Sequence, residues 1–266
     1  MSYVHSNGIR LWYQQAGQGE PVLLIQGSGA AGHVWDMHQA PALRQAGYRT
    51  VIFNNRGIGP SDAPAGRYAL DDLVADTRGL IEALDLAPCR ILGTSLGAMI
   101  AQELAVTAPH LVRSAVLMAT RARSDTLRRA QTLADRALLE SGIRLPARYE
   151  AVNQVLQMLS PRTLNDDAAM GNWLELFELS ADGDGPSGQV WIDTDADTRR
   201  RLREITAPCR VIAFGDDVIA PPHLAAEVAD AIPNGDLVEI PGCGHLGHLE
   251  EPDLVNAAIV EFFDKF

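Results

Sequence analysis

The sequence predicts an α/β fold, a mostly parallel sheet with helices on both faces and an all-helical segment inserted into it. Three observations predict this. Short β-rich runs alternate with longer helical patterns, as in chains built from β-α-β units. Most of those runs are continuously apolar rather than alternating, which marks strands covered on both faces. The alternation stops between Thr120 and about Arg203, where roughly 80 residues read as helix only, and then resumes.

The β runs, in order, are IRLWYQQA (9–16), PVLLIQG (21–27), TVIFNNRG (50–57), CRILGTS (89–95), SAVLMAT (114–120), CRVIAFG (209–215) and DLVEIPG (236–242). In the first, Leu11 and Tyr13 alternate with polar residues, so an antiparallel edge strand is expected there. Between the runs, residues 70–86 carry Leu73, Val74, Thr77, Leu80, Ile81 and Leu84 at helical spacing, behind an acidic first turn. Residues 221–233 and 251–266 are similarly amphipathic. LAPCRILG (86–93) and TAPCRVIAFG (206–215) share Ala-Pro-Cys-Arg ahead of a strand, an echo too short to be a repeat.

Inside the interruption, helices are expected at 126–140, 148–159, 166–179 and 195–204. The helical period shows in Leu127, Ala130, Leu133 and Ala137, and again in Trp173, Leu174 and Phe177. Residues 180–190, SADGDGPSGQV, form a breaker-rich loop. Such a segment is small for an independent domain, and strands resume after it. The expected organisation is therefore a core of residues 1–120 and 204–266 carrying a helical lid at 121–203.

Composition is that of a globular protein, with 47% hydrophobic and 21% charged residues in 266. A net charge of −12, with Lys265 the only lysine, argues against nucleic acid as a partner. No apolar run reaches 18 residues, so no membrane span is expected, and the polar start does not read as a signal peptide. Cys89, Cys209 and Cys243 are odd in number and far apart, which argues against a disulfide framework and for a cytoplasmic protein. No His/Cys/Asp cluster has metal-ligand spacing and no strand-linked Gly-x-Gly-x-x-Gly occurs, so neither metal nor cofactor is expected. A homodimer is compatible with all of this.

The most informative stretch is GTSLG, residues 93–97. Chance supplies roughly 0.08 Gly-x-Ser-x-Gly matches in a chain of this composition. Here a β run leads into Ser95 and a helical pattern leaves it, the setting of a nucleophile elbow. Gly93 and Gly97 give room for a strained turn that exposes the hydroxyl at a helix N-terminus. A serine needs a base held by a third group. His245 and His248 follow the last β run, and Asp216 and Asp217 end the run before it, giving the chain order serine, acid, histidine. All of these stand at C-terminal strand ends, where open α/β sheets place their crevice.

These motifs together resemble the α/β-hydrolase fold superfamily over nearly the full chain. GTSLG resembles its elbow. FNNRGIGPSD (53–62) resembles its Asp-x-Arg-Gly-x-Gly-x-Ser stretch, with Asn54 in place of the Asp. FGDDVIAPP resembles its acid loop, whose acid precedes a proline by four residues and so implies Asp217. GCGHLGHLEEP resembles its Gly-His-x(4)-Glu-x-Pro ending and implies His245. The resemblance implies an eight-stranded sheet and a Ser95–His245–Asp217 triad. It also implies an oxyanion hole from the backbone N–H groups of Leu96 and Ser28, although Gln26 stands where the family usually has His. A serine at 95 sets aside the aspartate-nucleophile dehalogenases and epoxide hydrolases. Thr94 and Ala98 depart from the elbow of the meta-cleavage hydrolases.

The expected function is hydrolysis of an ester, thioester or lactone through an acyl-enzyme, on a small-molecule hydrophobic acyl substrate of middling size. Alternatives on the same scaffold are a non-hydrolytic cyclase, lyase or cofactor-free perhydrolase, and a ligand receptor without turnover. Trp35 (with His33), Met158, Met170, Trp173 and Phe177 are candidate pocket residues. Arg56 is expected to be structural, tied to carbonyls, and Cys243 to be a small buried turn residue.

Overall fold

Each of the seven β-rich runs forms a strand, and an eighth precedes them. In the computed structural model, which describes residues 2–181 and 188–266, the strands are β1 Ser2–Ser6, β2 Ile9–Ala16, β3 Pro21–Ile25, β4 Arg49–Phe53, β5 Cys89–Thr94, β6 Val112–Met118, β7 Cys209–Phe214 and β8 Gly235–Ile240. They make one sheet in the order β1-β2-β4-β3-β5-β6-β7-β8. β2 pairs antiparallel with β1 and β4, and every other pairing is parallel.

β2 is antiparallel as its alternation suggested, yet it is not the edge. β1 covers it in register from Ser2↔Tyr13 to Ser6↔Ile9. The two-residue turn between them takes Asn7 and Gly8 at φ 47° and 80°, the left-handed pair that a tight hairpin requires. β1 buries only Val4 and Ser6. With so few apolar positions it left no hydrophobic run to read.

The continuous apolar runs follow from a sheet covered twice. Leu23, Ile25, Ile91, Leu117 and Val211 face a core shared with helices α2 (Leu70–Ala83), α3 (Leu96–Thr107) and α9 (Pro222–Ala231). Val22, Leu24, Leu92, Val116 and Ile212 face the opposite one, against α1 (Gln39–Gln45) and α11 (Pro252–Phe263). The Ala-Pro-Cys-Arg echo has a shared purpose. Arg90 donates to the Phe263 carbonyl and pairs with Glu20, while Arg210 donates to the Ala258 carbonyl and pairs with Asp236 and Glu261. Two buried arginines thus anchor α11 to the sheet. The three cysteines are free and buried.

Between β6 and β7 the described residues hold helices and no strand. They are α4 (Thr126–Ser141), α5 (Ala147–Met158), α6 (Pro161–Leu164), α7 (Asp167–Ala181) and α8 (Arg199–Leu202). The helix expected over 195–204 is a single turn. Most of the expected loop at 180–190 lies outside the described residues, apart from a 3-10 turn at Gly188–Trp191. The period seen in Leu127, Ala130, Leu133 and Ala137 marks the solvent face of α4, with Leu127 56% and Leu133 63% exposed. What α4 turns inward is polar. Arg128 is buried and donates to Asp125 and the Val218 carbonyl, and Arg136 donates to the Ile192 carbonyl at 3.1 Å. Arginine-to-carbonyl bonds, rather than an apolar stripe, hold this helix down. No described helix is long and apolar enough to cross a membrane.

Candidate active site

β5 ends at Thr94 and α3 begins at Leu96, so Ser95 alone makes the turn, at φ 52° and ψ −117°. A non-glycine residue there is strained and persists only because its surroundings hold it. Its N–H donates to the Met118 carbonyl, and its own carbonyl accepts from Ala98 and Met99. The flanking glycines are required by close approach. A Cβ on Gly97 would stand 2.1 Å from the Ile25 oxygen, and one on Gly93 would stand 2.5 Å from the Gly97 oxygen. The elbow is pressed against the end of β3, which places Ser95 beside the loop leaving that strand.

His245 reaches this serine from the loop after β8. Its Nε2 lies 3.1 Å from Ser95 Oγ, and its Nδ1 lies 2.8 Å from Asp217 Oδ2. With the ring proton on Nδ1, the imidazole donates to Asp217 and its Nε2 is free to accept from the hydroxyl. Asp217, just after β7, is buried, and its Oδ1 accepts 2.8 Å bonds from the Ile219 and Ala220 N–H groups. Burial works against its ionisation. The His245 ring and the two backbone donors outweigh that and hold the carboxyl below its ordinary range. Asp216 is exposed, outside the constellation. Glu250 braces the histidine loop by accepting from the Gly244 N–H and the Ser160 hydroxyl. Met158 contributes its carbonyl there, accepting from the Leu246 N–H at 3.1 Å.

The loop after β3 completes the surroundings of Ser95. Gln26, at the unusual position, turns its Oε1 back to the Gly27 N–H. Asn54 accepts from the Gly32 N–H at 2.7 Å and Asn55 donates to the Gln26 carbonyl, so the β4 loop orients this one. Gln189, from the segment between β6 and β7, accepts from the Gly29 N–H and the Ser28 hydroxyl and donates to the Arg56 carbonyl. Nothing in the pattern of the sequence singled out Gln189. Leu96, as the first residue of α3, has no carbonyl one turn back for its N–H. The Ser28 N–H has no acceptor among the described residues.

A cavity of about 200 Å³ opens at Ser95, with Ser28 and Leu96 in its wall together with Met99, Arg121 and Ile192. None of the expected pocket side chains lines it. Trp35 is fully buried in the core against α11, because the turn after the β3 loop folds under the sheet. Met158 ends α5, while Trp173 and Phe177 both lie on α7 with their rings 6.3 Å apart, and none of the three is in the cavity wall. Met170 is on α7 as well, and His33 stacks on Trp12 outside the cavity. Arg56 is structural but its partner is a carboxylate: it donates two buried hydrogen bonds to Asp76, at 2.6 and 2.7 Å. Among the described residues no group of three or more His, Cys, Asp or Glu is placed to hold a metal ion.

His248 lies three residues past His245, fully buried beside the Trp35 ring, and neither of its ring nitrogens has a partner among the described residues. Burial, with smaller contributions from His245 and His38, pushes its pKa down to about 3. The unfolded chain therefore binds a proton that the folded one rejects between about pH 6.5 and 3, and folding weakens as pH falls through that window. His248→Leu should reduce the pH slope of unfolding free energy there by up to about 1.4 kcal/mol per pH unit. Urea unfolding at pH 7, 6, 5 and 4 checks this; an unchanged slope would mean the ring is not dehydrated.

Comparison with known proteins is consistent along the chain. A family model described as alpha/beta hydrolase fold matches residues 20–252. A Mycobacterium tuberculosis protein provisionally named non-heme bromoperoxidase BpoC is 48% identical over 96% of this chain and 98% of its own. An Azorhizobium caulinodans protein provisionally named carbamate hydrolase RutD is 29% identical over 98% of each. The solved structure of Rv0554 from M. tuberculosis superposes with a TM-score of 0.92 at 46% identity, covering 97% of this chain and 94% of that one.

Proposed function

The chain belongs to the α/β-hydrolase fold family, and on that premise we propose a serine hydrolase that transfers the acyl group of a carboxylic ester, thioester or lactone. One observation carries the reading: a hydroxyl, an imidazole and a buried carboxylate in hydrogen-bond sequence at 3.1 and 2.8 Å. Ser95 Oγ attacks the carbonyl carbon as His245 Nε2 takes its proton. Asp217 fixes the tautomer and steadies the imidazolium. The N–H groups of Ser28 and Leu96 receive the oxyanion, an interaction worth ~3–4 kcal/mol per donor in such sites. His245 returns the proton to the leaving oxygen or sulfur, and a water deprotonated by the same ring frees the acid. Residues 121–203 act as a lid in this reading, supported by Gln189 bridging to the β3 loop and by Ile192 in the cavity wall. The expectation of a hydrophobic substrate rested on Met158, Trp173 and Phe177, which stand outside that wall.

The name of the 48% identical relative favours a second reading. If hydrogen peroxide replaces water, its oxygen attacks the same acyl-enzyme and the product is a peracid, with Ser95 regenerated. Incubation with a fluorophosphonate probe and with p-nitrophenyl esters, with and without peroxide, tests both. Labelling at Ser95 with ester turnover is expected, and peracid release in peroxide identifies the second route. Labelling without turnover would point to a cyclase or lyase on this scaffold. Neither labelling nor turnover would overturn the proposal in favour of a ligand receptor.

A further inference from the structure

Among the described residues, the cavity at Ser95 has one cation in its wall, Arg121, and no carboxylate forms a salt bridge with it. Arg121 follows β6 by three residues and is half-buried. Its Nη1 donates to the Ile219 carbonyl at 3.0 Å and its Nη2 to Thr194 Oγ1 at 3.4 Å, while its Nε has no partner among the described residues. Among the described residues Arg136 likewise bonds only uncharged acceptors, in its case carbonyls, but stands outside the cavity wall, and the more deeply buried arginines are different. Arg56, Arg90, Arg128 and Arg210 each hold an acidic side chain, Asp76, Glu20, Asp125 and Asp236 respectively. Burial lowers the pKa of Arg121, against the opposing fields of Asp195 and Asp217. A half-buried guanidinium held by one carbonyl and one hydroxyl, with Asp195, Asp217 and Asp125 near but none in a salt bridge with it, is arranged to receive a planar anion.

We propose that Arg121 is a specificity-determining residue, binding the carboxylate of an acyl group whose other end is the carbonyl attacked by Ser95. The substrate class is then a monoester or thioester of a short dicarboxylic acid, short because Ser95 and Arg121 share one cavity of about 200 Å³. The inference rests on the acyl-transfer reading above and names the acyl group for it. The other charged residue in the wall is Asp135, from α4, which has no cationic partner among the described residues. Desolvation raises the pKa of its carboxyl, which weakens its repulsion of an anion bound in the same cavity.

A rival role is structural. Arg121 holds the Ile219 carbonyl, and the Ile219 N–H holds Asp217, so the guanidinium could serve only to brace the acid loop. Bracing affects every substrate in proportion, whereas anion binding changes a ratio. The experiment compares kcat/KM for p-nitrophenyl hydrogen glutarate with that for its neutral methyl ester. The wild type is expected to prefer the charged ester by about 10–100-fold, the range of a hydrogen bond to a charged group. Arg121→Gln should collapse that ratio toward one, and Arg121→Lys should restore part of it. Equal rates on the two esters in the wild type, or an unchanged ratio in both variants, would overturn the proposal while leaving acyl transfer intact. In a separate arm, monomethyl glutarate is titrated calorimetrically into Ser95→Ala protein with and without Arg121→Gln. Binding that depends on Arg121 would sustain the anion site even if no ester were turned over, and absence of binding would sink it. Wild-type selectivity and Ser95→Ala binding decide the matter even if Arg121→Gln fails to fold.

Discussion

Alanine at Ser95 or at His245 will lower kcat on any ester the protein hydrolyses by about 10⁴-fold or more, and the double variant will be no slower than the slower single one. The expectation follows from geometry. Ser95 Oγ has one base within reach, His245 Nε2 at 3.1 Å, and that base has its other nitrogen committed to Asp217. Removing the hydroxyl leaves the imidazole with nothing to activate, and removing the imidazole leaves a hydroxyl that is inert at neutral pH. The two losses are one loss, so they do not add. Asp217→Asn should also fall by about 10⁴-fold, because an amide donor opposite Nδ1 favours the wrong tautomer. Single-turnover and steady-state rates of the four proteins, with melting curves to establish folding, measure this. Independent, multiplying effects at Ser95 and His245 would mean that they do not work as a unit.

How much of this was legible beforehand depended on what kind of signal each residue leaves. Ser95, Gly93 and Gly97 were readable because the elbow is local: strand, turn and helix are contiguous, and the glycines answer to atoms a few residues away or one strand across. Asp217 and His245 were readable only through motif spacing, which separated them from Asp216 and His248; the fold then places Asp216 in solvent and His248 under the sheet. Arg121 and Gln189 carry no such mark. Each is a polar residue in an irregular stretch whose role is created by a loop far away in sequence, the acid loop for one and the β3 loop for the other. Hydrophobic periodicity misled where helices are held by polar contacts. The Leu127–Leu133 stripe is a solvent face, and Trp173 and Phe177 pair with each other on α7, outside the wall of the Ser95 cavity.

A single methyl group at position 97 should also cost much of the activity, less than the loss of Ser95 or His245 and by a different route. Alanine is the better helix former by about 1 kcal/mol, so propensity alone predicts that Gly97→Ala strengthens α3. Packing predicts the reverse. The new Cβ would sit 2.1 Å from the Ile25 oxygen, 2.6 Å from its carbon and 2.9 Å from the Gln26 oxygen, all backbone atoms at the buried end of β3. No rotamer change relieves such contacts; the helix must withdraw or the strand end must move. Overpacking of this kind costs about 1–3 kcal/mol or more, which exceeds the propensity gain. The strand end that yields leads directly into Gly27 and Ser28, so the proposed second oxyanion donor moves with it, and kcat should fall by about 10²–10³-fold. Gly171→Ala supplies the control. Gly171 lies within α7, exposed, with nothing inside 4 Å of the added carbon, and there the same substitution should stabilise by up to about 1 kcal/mol and leave kcat unchanged. Urea denaturation and ester turnover on the two variants give opposite signs if close approach is what fixes the elbow. Wild-type stability and rate in Gly97→Ala would show that β3 and α3 stand further apart than this, and the oxyanion geometry derived from their contact would fall with it.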